Sequence, residues 1–565
     1  RRYPCPVTPE QLSTAIVDVL TTLSSEGAMT LPDGVPTNVT VERPRQKGHG
    51  DYATNVALQL GKRAGMNPRD LAALVQRRLA EVEGVAGVEI AGPGFLNITV
   101  SAGAQGVVAA EVVAAGAAYG HTDTLHGEKI DVEFISANPT GPLHLGHTRW
   151  AVVGDAIARV LEAAGAAVTR EFYINDRGNQ MNLFGASIEA AALGRPTPED
   201  GYHGAYITEL AHEIVAADPT IVDLPAAERL VAFREQGYAL QLADQQKQLE
   251  RFNTVFDVWF SERSLHDSDD VAAGLEKLRA QGHLFDADGA LWMRTTDFGD
   301  DKDRVLIRSN GELTYFASDT AYYVNKRERG FDRCIYLLGA DHHGYVGRLK
   351  AMAACAGDDP ERNVEVLIGQ LVKILRDGEE IRLSKRAGDI VSLEELIDEI
   401  GTDPLRYSLA RYPADSPLVL DVAEITKASN DNPVYYVQYG HARTCRMMEN
   451  AAELGMSLPV DLASGFDPSL LSHEREGVLL RALAEFPRVV ASAAELRHPH
   501  RVARYLEDMT AVFNRWYDTR ECRMLPQGDE PVTPVNEARL VLVAATRTVL
   551  ANGLALLGVS APERM

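Results

Sequence analysis

The chain has 565 residues, 45% of them hydrophobic and 24% charged, ordinary globular usage that allows about three or four domains with large cores and no need of disulfides. A formal net charge of −24 counts against a nucleic-acid partner, but net charge reports the long-range field and leaves room for a local basic track. The five cysteines (Cys5, Cys334, Cys355, Cys445, Cys522) are scattered without a CxxC pair, which argues against structural zinc and for a reducing compartment. No apolar run reaches the roughly 18 residues needed to span a bilayer, and the opening Arg-Arg-Tyr-Pro lacks a charged-then-apolar leader pattern. The expectation is a cytoplasmic protein with no membrane partner.

Residues 1–105 read as a small α+β unit. Stretches 9–23 and 66–82 carry helical apolar spacing, the second opened by Asn67, Pro68 and Asp70. Stretches 88–90 and 95–100, joined across Gly92-Pro93-Gly94, read as a hairpin. An alanine-rich connector, 106–128, follows. From Lys129 the pattern changes to a strand at 130–135, a Pro/Gly loop, a helix at 144–164 stopped by Gly165, and a strand at 168–174. Further strands at 334–338 and 364–368 make 129–422 an α/β domain with a doubly wound, Rossmann-like parallel sheet. The polar stretch 194–300 reads as an insertion in it. Beyond it, 423–565 is helical (433–453, 468–497, 500–520, 536–557), a C-terminal bundle.

The most informative loop is Ser136-Ala137-Asn138-Pro139-Thr140-Gly141-Pro142-Leu143-His144-Leu145-Gly146-His147. It joins a strand to a helix, where backbone N–H groups and the helix dipole favour an anion. Gly146 permits close approach of a ligand, and His144 and His147 share one face of the first turn, placed to donate to a phosphate. Taken alone, the histidine pair reads better as a capped helix start with two surface histidines. Residues 141–148 also approach the P-loop pattern, but His147 stands where that mechanism needs lysine. A second loop, Arg382-Leu383-Ser384-Lys385-Arg386-Ala387-Gly388, follows the turn at Asp377-Gly378. Its Lys385 is a flexible point charge suited to a triphosphate.

His144-Leu145-Gly146-His147 resembles the HxGH signature of class I aminoacyl-tRNA synthetases. The run from Glu133 to Pro142 resembles the arginyl-tRNA synthetase version, and the 382–388 loop is similar to that family's KMSKS loop, with Arg382 in place of its first lysine. The resemblance implies ATP with Mg²⁺, His144, Gly146, His147, Ser384, Lys385 and Arg386 at the nucleotide, and no metal held by the protein itself. A guanidinium is best met by carboxylates in bidentate geometry. The resemblance places Glu133, Asn138, Tyr315, Asp319 and His342 around L-arginine, Tyr315 and Asp319 lying four apart as Thr314-Tyr315-x-x-x-Asp319. Asp341 and His343 are assigned to the adenosine side.

Asn432-Pro433-Val434-Tyr435-Tyr436-Val437-Gln438-Tyr439-Gly440-His441-Ala442-Arg443 is close to the string that opens the family's anticodon-binding domain. Arg497, Arg501, Arg504, Arg515, Arg520 and Arg523 add basicity there. At the other end, the stretches 49–55 and 92–97 resemble the family's N-terminal domain, which contacts the D-loop in relatives. The resemblance thus points to tRNA contacts by Phe95, Asn97, Tyr435, Tyr439, His441 and Arg443, although Phe95 and the tyrosines read equally well as core packing. The implied activity is ATP-dependent formation of arginyl-adenylate and transfer of arginine to the 2′-hydroxyl of the terminal adenosine of tRNA(Arg), by a monomer. Rival readings are a class I synthetase for another amino acid, a non-catalytic tRNA-binding paralogue and a small nucleotidylyltransferase.

Overall fold

The computed structural model describes residues 8–44, 49–268, 270–380, 391–462 and 465–565, the side chains of Asp341 and His343 excepted. Near the N-terminus, the helix Pro9–Ser25 starts at a Thr8–Gln11 capping box and Pro68–Leu79 starts under Asn67. They accompany an antiparallel sheet in the spatial order Tyr52–Thr54, Phe95–Val100, Val85–Ala91. The connector contains a helix, Ala102–Ala115, whose packing is with Glu474–Ala484 and Pro534–Leu556 at the other end of the chain. Its Gly106 allows this approach: a Cβ there would lie 2.2 Å from the Pro468 carbonyl oxygen.

Five parallel strands form the central sheet, in the order Val364–Gly369, Arg333–Gly339, Lys129–Glu133, Ala167–Ile174, Val258–Ser261. The direction of winding reverses between Lys129–Glu133 and Arg333–Gly339. In sheets of this kind the crevice beyond the strand ends at such a switch point is where ligands bind. The helix Leu145–Ala163 follows the first of these strands, within one residue of its expected limits.

One expectation needs correction: 194–300 does not lie wholly outside the sheet, because Val258–Ser261 is its edge strand. Four residues are too few to show periodicity. The pairing is secured by neighbours distant in sequence, Trp259 stacking on Phe172 with ring centroids 4.5 Å apart. The same stretch also supplies the long helix Ala226–Arg251, which reaches back to the loop before His144.

The C-terminal bundle comprises Pro433–Glu453, Glu474–Ala484, Phe486–Leu496, His500–Tyr517 and Pro534–Leu556. The last is long and apolar enough to cross a membrane, but Leu540, Leu542, Val549, Leu550 and Leu554 are buried in the protein core. Arg406, fully buried, ties this helix to the sheet domain. Its guanidinium donates to the carbonyls of Phe252 (2.8 Å), Asn253 (3.1 Å) and Leu557 (3.1 Å), and to Asp155 of the helix Leu145–Ala163.

Candidate active site

The loop after Glu133 turns sharply. Ile135 and Ser136 take positive φ values of 73° and 46°, a conformation strained for any L-residue and most for a β-branched one. Distant side chains hold it there. The Gln245 amide donates to the carbonyls of Asn138 (3.1 Å) and Gly141 (2.8 Å), and the Tyr206 hydroxyl donates to that of Thr140 (3.1 Å). His144 is the N-cap of the following helix. Its Nδ1 accepts from the Gly146 amide (3.1 Å), while His147 Nδ1 accepts from the His144 amide (3.2 Å).

With both Nδ1 atoms accepting, each ring carries its hydrogen on Nε2. The two rings lie 3.9 Å apart. A Cβ on residue 146 would sit 2.9 Å from the His144 ring, so a larger residue there would displace that ring. These groups open into a cavity of roughly 640 Å³ lined by Asn138, His144, Gly146, His147, Trp150 and His342, among others. The structure thus brings together the loop after the first strand and the end of the strand Arg333–Gly339, the two sides of the switch point.

Tyr315 and Asp319 lie in the first turns of the helix Tyr315–Glu328, capped by Thr314. Tyr315 is 79% exposed, so it is not the core-edge residue that an isolated tyrosine suggests. Asp319 accepts from the Tyr345 hydroxyl. Burial pushes its carboxyl up to about 6, against the lowering effect of the tyrosine bond and Arg348; the nearby Glu133 carboxylate adds to the rise. His342 lies beyond the strand end, its ring edge-on to Tyr345.

Glu133 is differently placed. One oxygen accepts from Lys326 Nζ at 2.7 Å and the other from the Ser136 hydroxyl at 3.2 Å. Asn138 donates to Gln180 (2.9 Å), whose own amide holds the Asn175 carbonyl (3.0 Å). Asp176 is fully engaged inside the protein, accepting from Tyr238 (3.0 Å), Ser261 (2.6 Å) and the Arg263 amide (3.0 Å). Lys326, Tyr345 and Gln245 escaped sequence reasoning. Their partners are 26 to 195 residues away, and no local spacing marks them. Ser384, Lys385 and Arg386 lie outside the described residues, as do the side chains of Asp341 and His343.

In the flanking regions Phe95 is 43% exposed, beside a cavity of roughly 590 Å³ that also has Arg43, His49 and Asn55 in its walls. Asn97 is buried, within hydrogen-bond distance (3.1 Å) of His49. Tyr435 and Tyr439 stack at 5.9 Å, with Arg443 4.9 Å above the Tyr439 ring. His441 departs from the expected exposed face: it is buried, and its Nδ1 donates to the Pro562 carbonyl at 2.9 Å, so it fastens the chain end. Arg497 is likewise turned inward, onto Glu365 at 3.1 Å.

This sheet order, with an HxGH helix at its switch point, fits a class I aminoacyl-tRNA synthetase. Residues 109–408 match the model of the class I (R) tRNA synthetase catalytic domain. Residues 10–100 match the arginyl tRNA synthetase N-terminal domain and 437–565 the DALR anticodon binding domain. The arginine–tRNA ligase of Renibacterium salmoninarum is 56% identical, and that of Kineococcus radiotolerans 55%, each alignment covering 99% of this chain and 100% of the relative. The arginyl-tRNA synthetase structure from Thermus thermophilus superposes with a TM-score of 0.72 at 23% identity, covering 98% of this chain and 100% of that one. The chain belongs to the arginyl-tRNA synthetase family. It activates arginine with ATP and charges tRNA(Arg).

Proposed function

We propose a division of labour within that activity. His144 and His147 donate through Nε2–H to the phosphates of ATP, with Gly146 leaving room for them. Ser384, Lys385 and Arg386 are assigned to the triphosphate, and magnesium arrives as part of the nucleotide substrate. Asp319 and Tyr315 take the guanidinium, Glu133, Asn138 and His342 complete the arginine side, and Asp341 and His343 are assigned to the adenosine. The arginine carboxylate attacks the α-phosphorus, pyrophosphate leaves, and the terminal 2′-hydroxyl of tRNA then attacks the carbonyl of the adenylate. No protein nucleophile is required, so the rate enhancement comes from placement and charge stabilisation.

The observation that carries this reading is the single cavity at the switch point, which gathers Asn138, His144, Gly146, His147 and His342 from two strand ends. Phe95 with Asn97, and Tyr435, Tyr439 and Arg443, are assigned to tRNA from opposite ends of the chain. The domain division is 1–105, 106–128, 129–422 and 423–565, in a monomer working in the cytoplasm. For Asp319→Ala, arginine KM in tRNA-dependent ATP–pyrophosphate exchange is expected to rise about 100-fold with ATP KM little changed, the scale of losing a charge-assisted hydrogen bond. An unaltered arginine KM removes Asp319 from the site.

A further inference from the structure

Below the cavity, a cation is shut inside the protein. Lys326 is fully buried, with Nζ 2.7 Å from Asp131 and 2.7 Å from Glu133, and 3.8 Å from Glu171. The rings of Tyr322 and Tyr336 stand on it at 4.6 and 4.5 Å. Glu171 has its own cation in Arg329 (2.9 Å). The second oxygen of Asp131 is buried without a hydrogen-bond partner, and burial holds that carboxyl above the ordinary carboxylate range. A cluster of this kind gives little net stability, because desolvating its charges costs about what their attraction returns. Its geometry is more informative.

Asp131 and Glu133 are two apart on one strand, so they share a face of the sheet. Lys326 bridges them, and of the two only Glu133 lies at the strand end that opens toward the substrate cavity. We propose that Lys326 is a positioning residue for arginine: it fixes the Glu133 carboxylate and offsets its charge, leaving Asp319 as the carboxylate that carries the net attraction for the guanidinium. This rests on the assignment of Glu133 to the arginine side. Asp131 serves as the inner anchor that keeps the ammonium in place, and Ser136 holds the other oxygen of Glu133 through the strained turn.

A double-mutant cycle on arginine KM in ATP–pyrophosphate exchange, run on the full chain with tRNA present, tests it. Glu133→Gln is expected to raise arginine KM about 10-fold. Lys326→Met is expected to raise it by a similar factor with ATP KM within about twofold, and the double variant should be no worse than Glu133→Gln alone. If Lys326→Met does not fold, Lys326→Arg carries the same cycle. Its planar head displaces Glu133, so KM should rise about threefold, but not in the Glu133→Gln background. Multiplicative effects in the double variant, or equal rises in arginine and ATP KM, overturn the role of Lys326 alone. An unchanged arginine KM in Glu133→Gln overturns the assignment of Glu133 on which it rests.

Discussion

The two sides of the cleft meet charge by opposite means. Around His144 the protein offers neutral donors: two Nε2–H groups and the start of a helix, on a loop whose own backbone is strained and clamped by Gln245. Around Asp319 it offers ionised groups, one carboxylate bonded to Tyr345 and another bonded to a buried lysine. The difference suits the ligands proposed for the two sides. A phosphate gains negative charge in the transition state, and donors fixed in advance stabilise it without reorganising. A guanidinium keeps its charge throughout and must be told apart from other side chains, which calls for carboxylates of set number and orientation.

Substitutions on the two sides should therefore separate rate from affinity. The largest effect is expected for Lys385→Ala: arginine-dependent ATP–pyrophosphate exchange should fall on the order of 10³-fold, the size of losing a donor to developing charge. Binding of tRNA should stay nearly intact. Unchanged exchange would place Lys385 outside the phosphate side. Next comes Gln245→Leu, which leaves the Asn138 and Gly141 carbonyls without their donor and frees the strained turn. Adenylate formation should slow about 10-fold while arginine KM moves less than about threefold. A pure KM effect would merge the two sides into one.

The smallest effect concerns pH. In the proposed assignment arginine binding needs the ionised form of Asp319, whose carboxyl burial pushes up to about 6. Thus kcat/KM for arginine should be level above that pH and fall as pH drops through it. The Tyr345 bond lowers this value, so Tyr345→Phe should move the break upward by about half a unit. A break that stays put, or moves down, would mean that another group titrates there.

The same contrast governs what could be read from the sequence. The His144 side is local: two histidines three apart, a glycine between them and a strand before them occupy one short segment, so its geometry showed in the letters. The Tyr315–Asp319 pair was visible for the same reason, as a helical repeat of four. Lys326 and Glu133 are 193 residues apart and meet only because two strands and a helix pack together. Neither residue type nor spacing announces such a pair, and Glu133 looked like an unencumbered clamp. The edge strand Val258–Ser261 was hidden because its stability comes from Phe172, and His441 was misplaced because its partner is the chain end. Sequence patterns report what a segment does with itself; they are silent about partners brought in by the fold.

Arg406 joins the end of the last helix to the sheet domain. Pro534–Leu556 has 23 residues, about 34 Å of rise at 1.5 Å per residue. Its final turn is bolted through Arg406 to Asp155, on the very helix that begins at His144. Its first turns are fastened as well, Asn536 donating to the Met524 carbonyl (2.7 Å) and Arg539 to Glu476 (2.7 Å). Held at both ends, the helix works as a strut between the bundle and the helix that carries His147, spacing the two without a hinge between them.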